Sequence, residues 1–456
     1  MTDQLTAEAI LPQEFPNLGP VALEGLHPAL LDAKMDSMRV LSETAMAFPD
    51  ALSFSSGAPY DGDYDLNQIS RQIEQYFACS REAGVPEALL ARRMFHYGPV
   101  NGFILAEIAQ MLRVQEGIEV PEASIMVTNG FQEALLIALR GLFSSPDDVL
   151  LTVAPAYVGI LGAARMLDIP YRGVLEGPEG ICAENVLEAI RATRAEGKRP
   201  RALYLIPDFS NPSGTVIPLA TRRRLLEIAE AEDLLILEDN PYGIFAPDGE
   251  QLPTFKALDT RQRVVFLGSF AKSAFPGARM GYLIADQILE YRGQSPRYLS
   301  QRLSLAKSMF SVGTSSLSQA LIAGLLHERG YDLRKASESS RDVYLERLKA
   351  ALENLALHFP PSKWDQHGVG WNEPRGGFFI VLNLPFAVDL ALMEHSAREY
   401  GVSWAPMNMF YPEGGGERQL RLGVSNLEPA KIAEGIARLA RFITDHAART
   451  GQGGKS

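Results

Sequence analysis

The sequence predicts an α/β protein: a large domain on a mostly parallel sheet, followed by a smaller α+β domain. Three observations carry that expectation. Short aliphatic runs alternate with helix-period segments between residues 125 and 284, as crossover-connected strands do. The runs Val149–Val153, Ala202–Ile206, Leu234–Leu237 and Val264–Leu267 are almost continuously hydrophobic, which suits buried strands. Two later strand candidates, 374–382 and 419–424, lie among helical segments and belong to a second, smaller body.

Composition bounds the function. With 456 residues, 46% hydrophobic and 21% charged, the chain is an ordinary globular protein with room for two substantial domains. A net charge of −12 argues against a nucleic-acid partner. The only cysteines, Cys79 and Cys182, have neither disulfide-framework nor metal spacing, so a reducing compartment fits. The first residues lack a basic signal-peptide start, and no apolar run approaches a membrane span. The expectation is a cytoplasmic protein without nucleic-acid or membrane partners. Internal repeats and long linkers are absent from the pattern.

In chain order, residues 1–30 are broken by Pro12, Pro16, Pro20 and Pro28 and read as an arm lying over another surface. Residues 29–47 have helical periodicity, and Ala51–Phe54 is a short strand candidate running into Gly57, which lets backbone approach a ligand or simply makes a turn. Residues 66–83 read as an amphipathic helix; Tyr97 opens a turn to Gly102 before another helix. Residues 125–143 read as strand, turn at Gly130, then helix. The free amides of a helix start attract phosphate, although strand–glycine–helix is common in any α/β fold. Tyr157 follows the next strand, either as a core ring or as a platform for a flat heteroaromatic ligand. The following strand leads into Asn211-Pro212-Ser213-Gly214, and after helix 218–232 an aliphatic run ends in Asp239, with Tyr242 three further on. An unpaired acid there is expensive to bury; it either reaches solvent or meets a cation.

The segment 264–283 organises the rest. Lys272 is flanked by Phe270, Ala271, Ala274 and Phe275, and burial in such company lowers a lysine's pKa. A neutral amine is what a carbonyl-binding lysine needs. Ser269 and Arg279, on either side, can face one anion; the plain alternative is a snorkelling lysine and a paired arginine. Helices are expected at 295–311, 315–328, 332–357 and 428–447, with Arg421 alternating against Leu420 and Leu422 in the last strand.

Taken together, Asn211-Pro212-Ser213-Gly214, Asp239-x-x-Tyr242, Ser269-x-x-Lys272 with Pro276-Gly277-x-Arg279, and Arg421 resemble the signatures of fold-type I pyridoxal-phosphate aminotransferases of class I/II. The likeness spans roughly residues 35–445 and is nearer to the 2-aminoadipate and kynurenine aminotransferases. Residues Ser37–Pro59 also resemble hydroxyphenylglycine aminotransferases. The resemblance implies a large domain with a seven-stranded sheet and pyridoxal 5'-phosphate attached to Lys272. Ser269, Arg279 and the Gly130 turn would hold the phosphate. A small hydroxyl residue often stands where this chain has Phe131, so the Phe131 amide and the Gln132 side chain are expected to serve there. Tyr157 would stack on the pyridine ring, Asp239 would meet its nitrogen, and Asn211 and Tyr242 its phenolic oxygen. Arg421, with Gly57 and Asn211, would take the substrate carboxylate. Tyr97 would reach the phosphate of a neighbouring subunit, making a homodimer with shared sites. Methionine replaces the family's usual glycine at Met407 and would crowd or line the substrate pocket.

The activity so implied is amino transfer between an α-amino acid, aromatic or large and apolar, and a 2-oxo acid by ping-pong kinetics, with Lys272 as the base. The same scaffold supports oxidation, decarboxylation and elimination, and it also occurs in regulators behind a basic winged helix. The expected domains are residues 1–60, an arm and part of the small domain; 61–315, the large cofactor-binding domain; 316–447, the small domain; and 448–456, a disordered tail.

Overall fold

The computed structural model describes residues 25–450, except 63, 178–179, 291–292, 294 and 364–367. The expected arm over residues 1–24 and the tail from 451 lie outside the described residues. The strands in chain order are β1 (Leu52–Ser53), β2 (Ile125–Thr128), β3 (Asp148–Ala154), β4 (Tyr171–Leu175), β5 (Arg199–Leu205), β6 (Leu235–Asp239), β7 (Val264–Ser269), β8 (Gly281–Ile284), β9 (Ile288–Leu289), β10 (Arg297–Tyr298), β11 (Gly370–Trp371), β12 (Phe379–Asn383), β13 (Val402–Ser403), β14 (Ala405–Pro406) and β15 (Gln419–Gly423).

Seven of them form one sheet in the order β2-β8-β7-β6-β5-β3-β4. β8 runs antiparallel to both β2 and β7, and every other pair is parallel. The expected α/β class and mostly parallel seven-stranded sheet are therefore present. Two-residue alternation covers both faces. Leu150, Ala202, Tyr204, Leu235 and Leu237 pack with helices Phe131–Leu142 and Val158–Met166. Val149, Leu151, Val153, Leu203, Leu205 and Ile236 pack the other way, against helices Ala183–Ala195 and Leu219–Ala231. A third apolar cluster joins β2 and β8 to helices Leu66–Glu82, Leu105–Glu116 and Ser316–Glu328.

The smaller sheet is antiparallel, β11-β12-β15-β14. Ile380, Leu382, Leu420 and Leu422 pack with Phe54, Trp404 and the helices Glu338–His358 and Pro429–Thr450. β1 pairs in parallel with β13, Leu52 opposite Val402, and so ties the early chain to this body.

Several expected elements are corrected. Residues 29–47 are not one helix: turns Pro28–Leu31 and Ala33–Asp36 precede helix Ser37–Ala47, because Asp32 is extended and its carboxylate accepts the Lys34 amide. Segment 332–357 divides at Ser337 into Leu333–Ala336 and Glu338–His358. The helix expected from 295 begins at Leu299, since Arg297–Tyr298 pairs with Ile288–Leu289. Strand 374–382 begins only at Phe379, after a turn in which Gly377 has φ +79°. The last helix runs on to Thr450. Helix Glu87–Phe95 had no periodic signal long enough to detect.

Helices Leu66–Glu82 and Ser316–Glu328 cross where Gly324 faces the backbone of Gln72; a methyl on Gly324 would lie 1.7 Å from the Gln72 carbonyl oxygen. Gly324→Ala should therefore force the helices apart and cost about 1–3 kcal/mol of stability. Denaturant unfolding measures it, and an unchanged midpoint would mean the crossing is not rigid.

Candidate active site

The carboxyl ends of β2, β3, β5, β6 and β7 and the start of β8 lie along one edge of the large sheet, where open α/β sheets take their ligands. Gly130 has φ +79° and opens helix Phe131–Leu142, whose first turn has no side-chain cap. Arg279 adopts the left-handed region, φ 48° and ψ 47°, which costs a non-glycine residue about 1–3 kcal/mol. That backbone sets its guanidinium against Gly130, where an added Cβ would lie 2.7 Å from Nη2. Among the described residues Arg279 forms no ion pair. Ser269 ends β7 opposite Gly281, and its hydroxyl accepts the Ala271 amide at 3.1 Å. An uncapped helix start, a free guanidinium and a hydroxyl thus converge as an anion site.

Lys272 Nζ donates to the Gly57 carbonyl at 2.6 Å and stands 5.5 Å from the centre of the Phe378 ring. Burial, and secondarily the charge of Arg421, lowers its pKa to about 8. Gly57 also packs against the tip of the Phe379 ring, whose Cζ lies 2.4 Å from where a Cβ would be, so no side chain fits there.

Asp239 ends β6, is 4% exposed and accepts a hydrogen bond from the Tyr204 hydroxyl at 2.7 Å. Burial raises its pKa to about 7, with the Tyr204 hydrogen bond pulling the other way. Tyr157 lies near both Asp239 and Arg279, meets Phe131 edge to face at 6.2 Å and is touched weakly by Gln132 Nε2 at 3.5 Å. Tyr242 is buried against Phe378 and Phe379, with the Asn211 side chain hydrogen-bonded to its phenol. Arg421 points away from the Leu420 and Leu422 side of β15, donating to Asn211 Oδ1 at 2.7 Å and to the Ser55 carbonyl at 2.5 Å. Its guanidinium lies 4.3 Å from the Phe379 ring and 4.8 Å from that of Phe410. Burial lowers its pKa to about 10, leaving it charged at neutral pH. Its buried Nε has no hydrogen-bond partner.

Residues 50–439 match the family model for aminotransferase class I and II. The chain belongs to the class I and II aminotransferases. It is 41% identical to a (S)-3,5-dihydroxyphenylglycine transaminase of Amycolatopsis orientalis, covering 93% of this chain and 95% of that one. A 2-aminoadipate transaminase of Thermus thermophilus is 31% identical, over 87% and 90% of the two chains. The solved kynurenine aminotransferase of Pyrococcus horikoshii superposes with a TM-score of 0.78 at 28% identity, over 93% of this chain and 98% of that one. The protein is a pyridoxal-phosphate-dependent aminotransferase. Its edge fits that cofactor: the Gly130 cradle and Arg279 suit a phosphate, Lys272 an aldehyde carbon, and buried Asp239 a ring cation.

Of the aminotransferase residues expected from sequence, Gly57, Gly130, Phe131, Gln132, Tyr157, Asn211, Asp239, Tyr242, Ser269, Lys272, Arg279 and Arg421 line this edge. Tyr97 does not join them within one chain: its ring is 91% exposed on the turn before helix Leu105–Glu116. Sequence reasoning missed Tyr204, Phe378, Phe379 and Phe410. Met407 is buried with Val158, Val381, Ala405 and Phe410 beside Tyr157, behind the surface of the site.

Lys272 should titrate unusually early in the cofactor-free enzyme. Its folded pKa lies below the ordinary 10.5, so the reactive neutral amine is scarce below about pH 8 and predominates above it. Competitive labelling with an amine-reactive reagent, read by mass spectrometry, should show a midpoint near 8; a midpoint near 10.5 would contradict the burial.

Proposed function

We propose that this aminotransferase takes an aromatic α-amino acid and passes its amino group to a 2-oxo acid, working as a homodimer. The observation that carries the reading is the setting of Arg421. A buried, charged guanidinium sits between the Phe379 and Phe410 rings, close enough to Lys272 to lower its pKa. One cation walled by aromatic rings suits a carboxylate joined to an aromatic side chain. The names of relatives support this: a dihydroxyphenylglycine transaminase at 41% identity and an aromatic-amino-acid aminotransferase of Thermococcus litoralis at 32%.

Each residue then has a task. Arg421, steadied by Asn211 and flanked by Gly57, holds the α-carboxylate. Gly130, Phe131, Gln132, Ser269 and Arg279 hold the cofactor phosphate, Tyr157 covers the ring, Asp239 takes the ring nitrogen, and Asn211 and Tyr242 the phenolic oxygen. Pyridoxal phosphate, when bound, supplies the electron sink for charge developing at the α-carbon. Lys272 Nζ would take the proton from the substrate's α-carbon as a base and hold it within the site for return. The order of events makes the kinetics ping-pong.

A homodimer is supported by the exposure of Leu66 (87%), Phe95 (86%), Tyr97 (91%) and Met309 (82%), more apolar surface than a lone chain usually presents. Both cysteines are free, in keeping with a cytoplasmic setting. For the domain division, helix Ser316–Glu328 packs with Tyr76, Ile108 and Phe266, which supports a boundary near Ser337 rather than at 315/316.

A panel of amino donors with 2-oxoglutarate tests the substrate: aromatic donors should give kcat/KM at least tenfold above aliphatic and acidic ones, and the reverse ranking would overturn the reading. Mixing tests the shared site. If Tyr97→Ala and Lys272→Ala are each inactive, a heterodimer places both lesions in one site and neither in the other. Activity should return toward about a quarter of wild type for random pairing in a two-fold assembly; subunit exchange without recovery would mean unshared sites.

A further inference from the structure

Behind the Gly130 turn lies a fully buried cation that the chemistry above does not use. Lys307, in helix Leu299–Phe310, is 0% exposed, and its ammonium donates to Glu133 Oε2 at 3.1 Å and Thr314 Oγ1 at 2.9 Å. Glu133 belongs to the first turn of helix Phe131–Leu142. The same carboxylate accepts the Asn129 backbone amide at 2.6 Å and the Asn129 side-chain amide at 3.1 Å. Asn129 also donates to the Gly313 carbonyl at 3.3 Å, and Thr314 donates to the Val127 carbonyl at 3.3 Å. Every residue from Val127 to Gly130 is thus fixed by this set or by the turn itself, in which Gly130 N donates to the Thr128 carbonyl and Thr128 Oγ1 to the Gly130 carbonyl.

We propose that the buried Lys307–Glu133 pair is a positioning device for the phosphate-binding turn, holding Asn129 so that Gly130 and the following amides keep the shape that grips the cofactor phosphate. The inference rests on the reading of the Gly130 turn as the phosphate site. A pair serving only core stability would be expected to hold elements together wherever they meet. This one spends both carboxylate oxygens on the residue immediately before the turn. Glu133 contributes negative charge at a helix start, where an incoming phosphate is also negative; the Lys307 ammonium offsets that charge and leaves the phosphate's attraction to the amides intact.

The test uses the full-length apoenzyme and compares dissociation constants for pyridoxal 5'-phosphate and for pyridoxal, which lacks the phosphate, by cofactor absorbance, with thermal melting of each variant. The variants are Glu133→Gln, Lys307→Met and the two combined. Removing one partner strands a buried charge, whereas the double variant leaves none and should recover much of the melting temperature. Affinity for pyridoxal 5'-phosphate should fall at least tenfold in all three, with pyridoxal affinity changing less than threefold. Equal losses for both ligands, unchanged affinity, or phosphate affinity that recovers with melting temperature in the double variant would overturn the proposal. Failure of Glu133→Gln and of the double variant to fold would also count against it, making the pair a requirement of the core. Arg279→Ala separates the two readings: if it leaves pyridoxal 5'-phosphate affinity unchanged, the phosphate assignment itself fails.

Discussion

The side of the site proposed for the phosphate depends on one doubly paired residue. β8 lies between β2 and β7, so Gly281 is opposite Thr128 on one side and Ser269 on the other. A methyl there would sit 2.7 Å from the Gly130 carbonyl carbon and 2.9 Å from both the Gly268 oxygen and the Phe131 amide nitrogen. That crowding is why the helix start and Ser269, some 140 residues apart in the chain, lie on either side of Gly281. Arg279, two residues upstream of Gly281, comes along by the same pairing. A one-residue slip of β8 would send these side chains to the opposite face.

Three charged groups at this edge, buried Asp239 and Arg421 and half-buried Lys272, are not paired with one another. Lys272 has a carbonyl and a ring, Asp239 a hydroxyl, Arg421 an amide oxygen and a carbonyl. Among the described residues none of the three forms an ion pair. Burial without an opposite charge is costly, and in a core it is normally relieved by pairing. Here it pushes Lys272 down to about 8 and Asp239 up to about 7, both toward neutrality. On the proposed assignment, a cation at Asp239 and a carboxylate at Arg421 would relieve that cost on binding.

What the sequence made legible were residues that violate their local pattern. Asp239 ends an aliphatic run and Lys272 interrupts an aromatic one, and neither is explained by packing. Arg421 was singled out by the resemblance, since its alternation with Leu420 and Leu422 suits a surface arginine equally well. Tyr204 was invisible for the opposite reason: an aromatic inside a hydrophobic strand looks like core, and it is core. Only the parallel pairing of β5 with β6, which puts 204 and 239 on one face, turns its hydroxyl toward the acid. Phe378 and Phe379 read as residues within strand candidate 374–382 for the same reason. Lys307 and Glu133 carry no local signal of their pairing, since it depends on two helices that meet only in the fold. The misjudged start of the first helix was a capping effect at Asp32, a single hydrogen bond that periodicity does not register.

The last constraint joins the two sheets. Leu420 and Leu422 commit β15 to the smaller core, so strand alternation alone drives Arg421 out of it. The guanidinium then crosses to Asn211, on the loop after β5, while Asn372 of the smaller body donates to the Ser213 carbonyl at 2.5 Å on that loop. Its other hydrogen bond goes to Ser55, two residues before the Gly57 carbonyl that holds Lys272. The stretch Ser55–Gly57 therefore lends one carbonyl to each of the two cations. Each terminal nitrogen of Arg421 spends one of its two N–H groups on these oxygens, and Nε has no partner, so donors remain for a carboxylate without displacing either contact. A carboxylate that did displace the Ser55 carbonyl would act on the same three residues that steady the lysine.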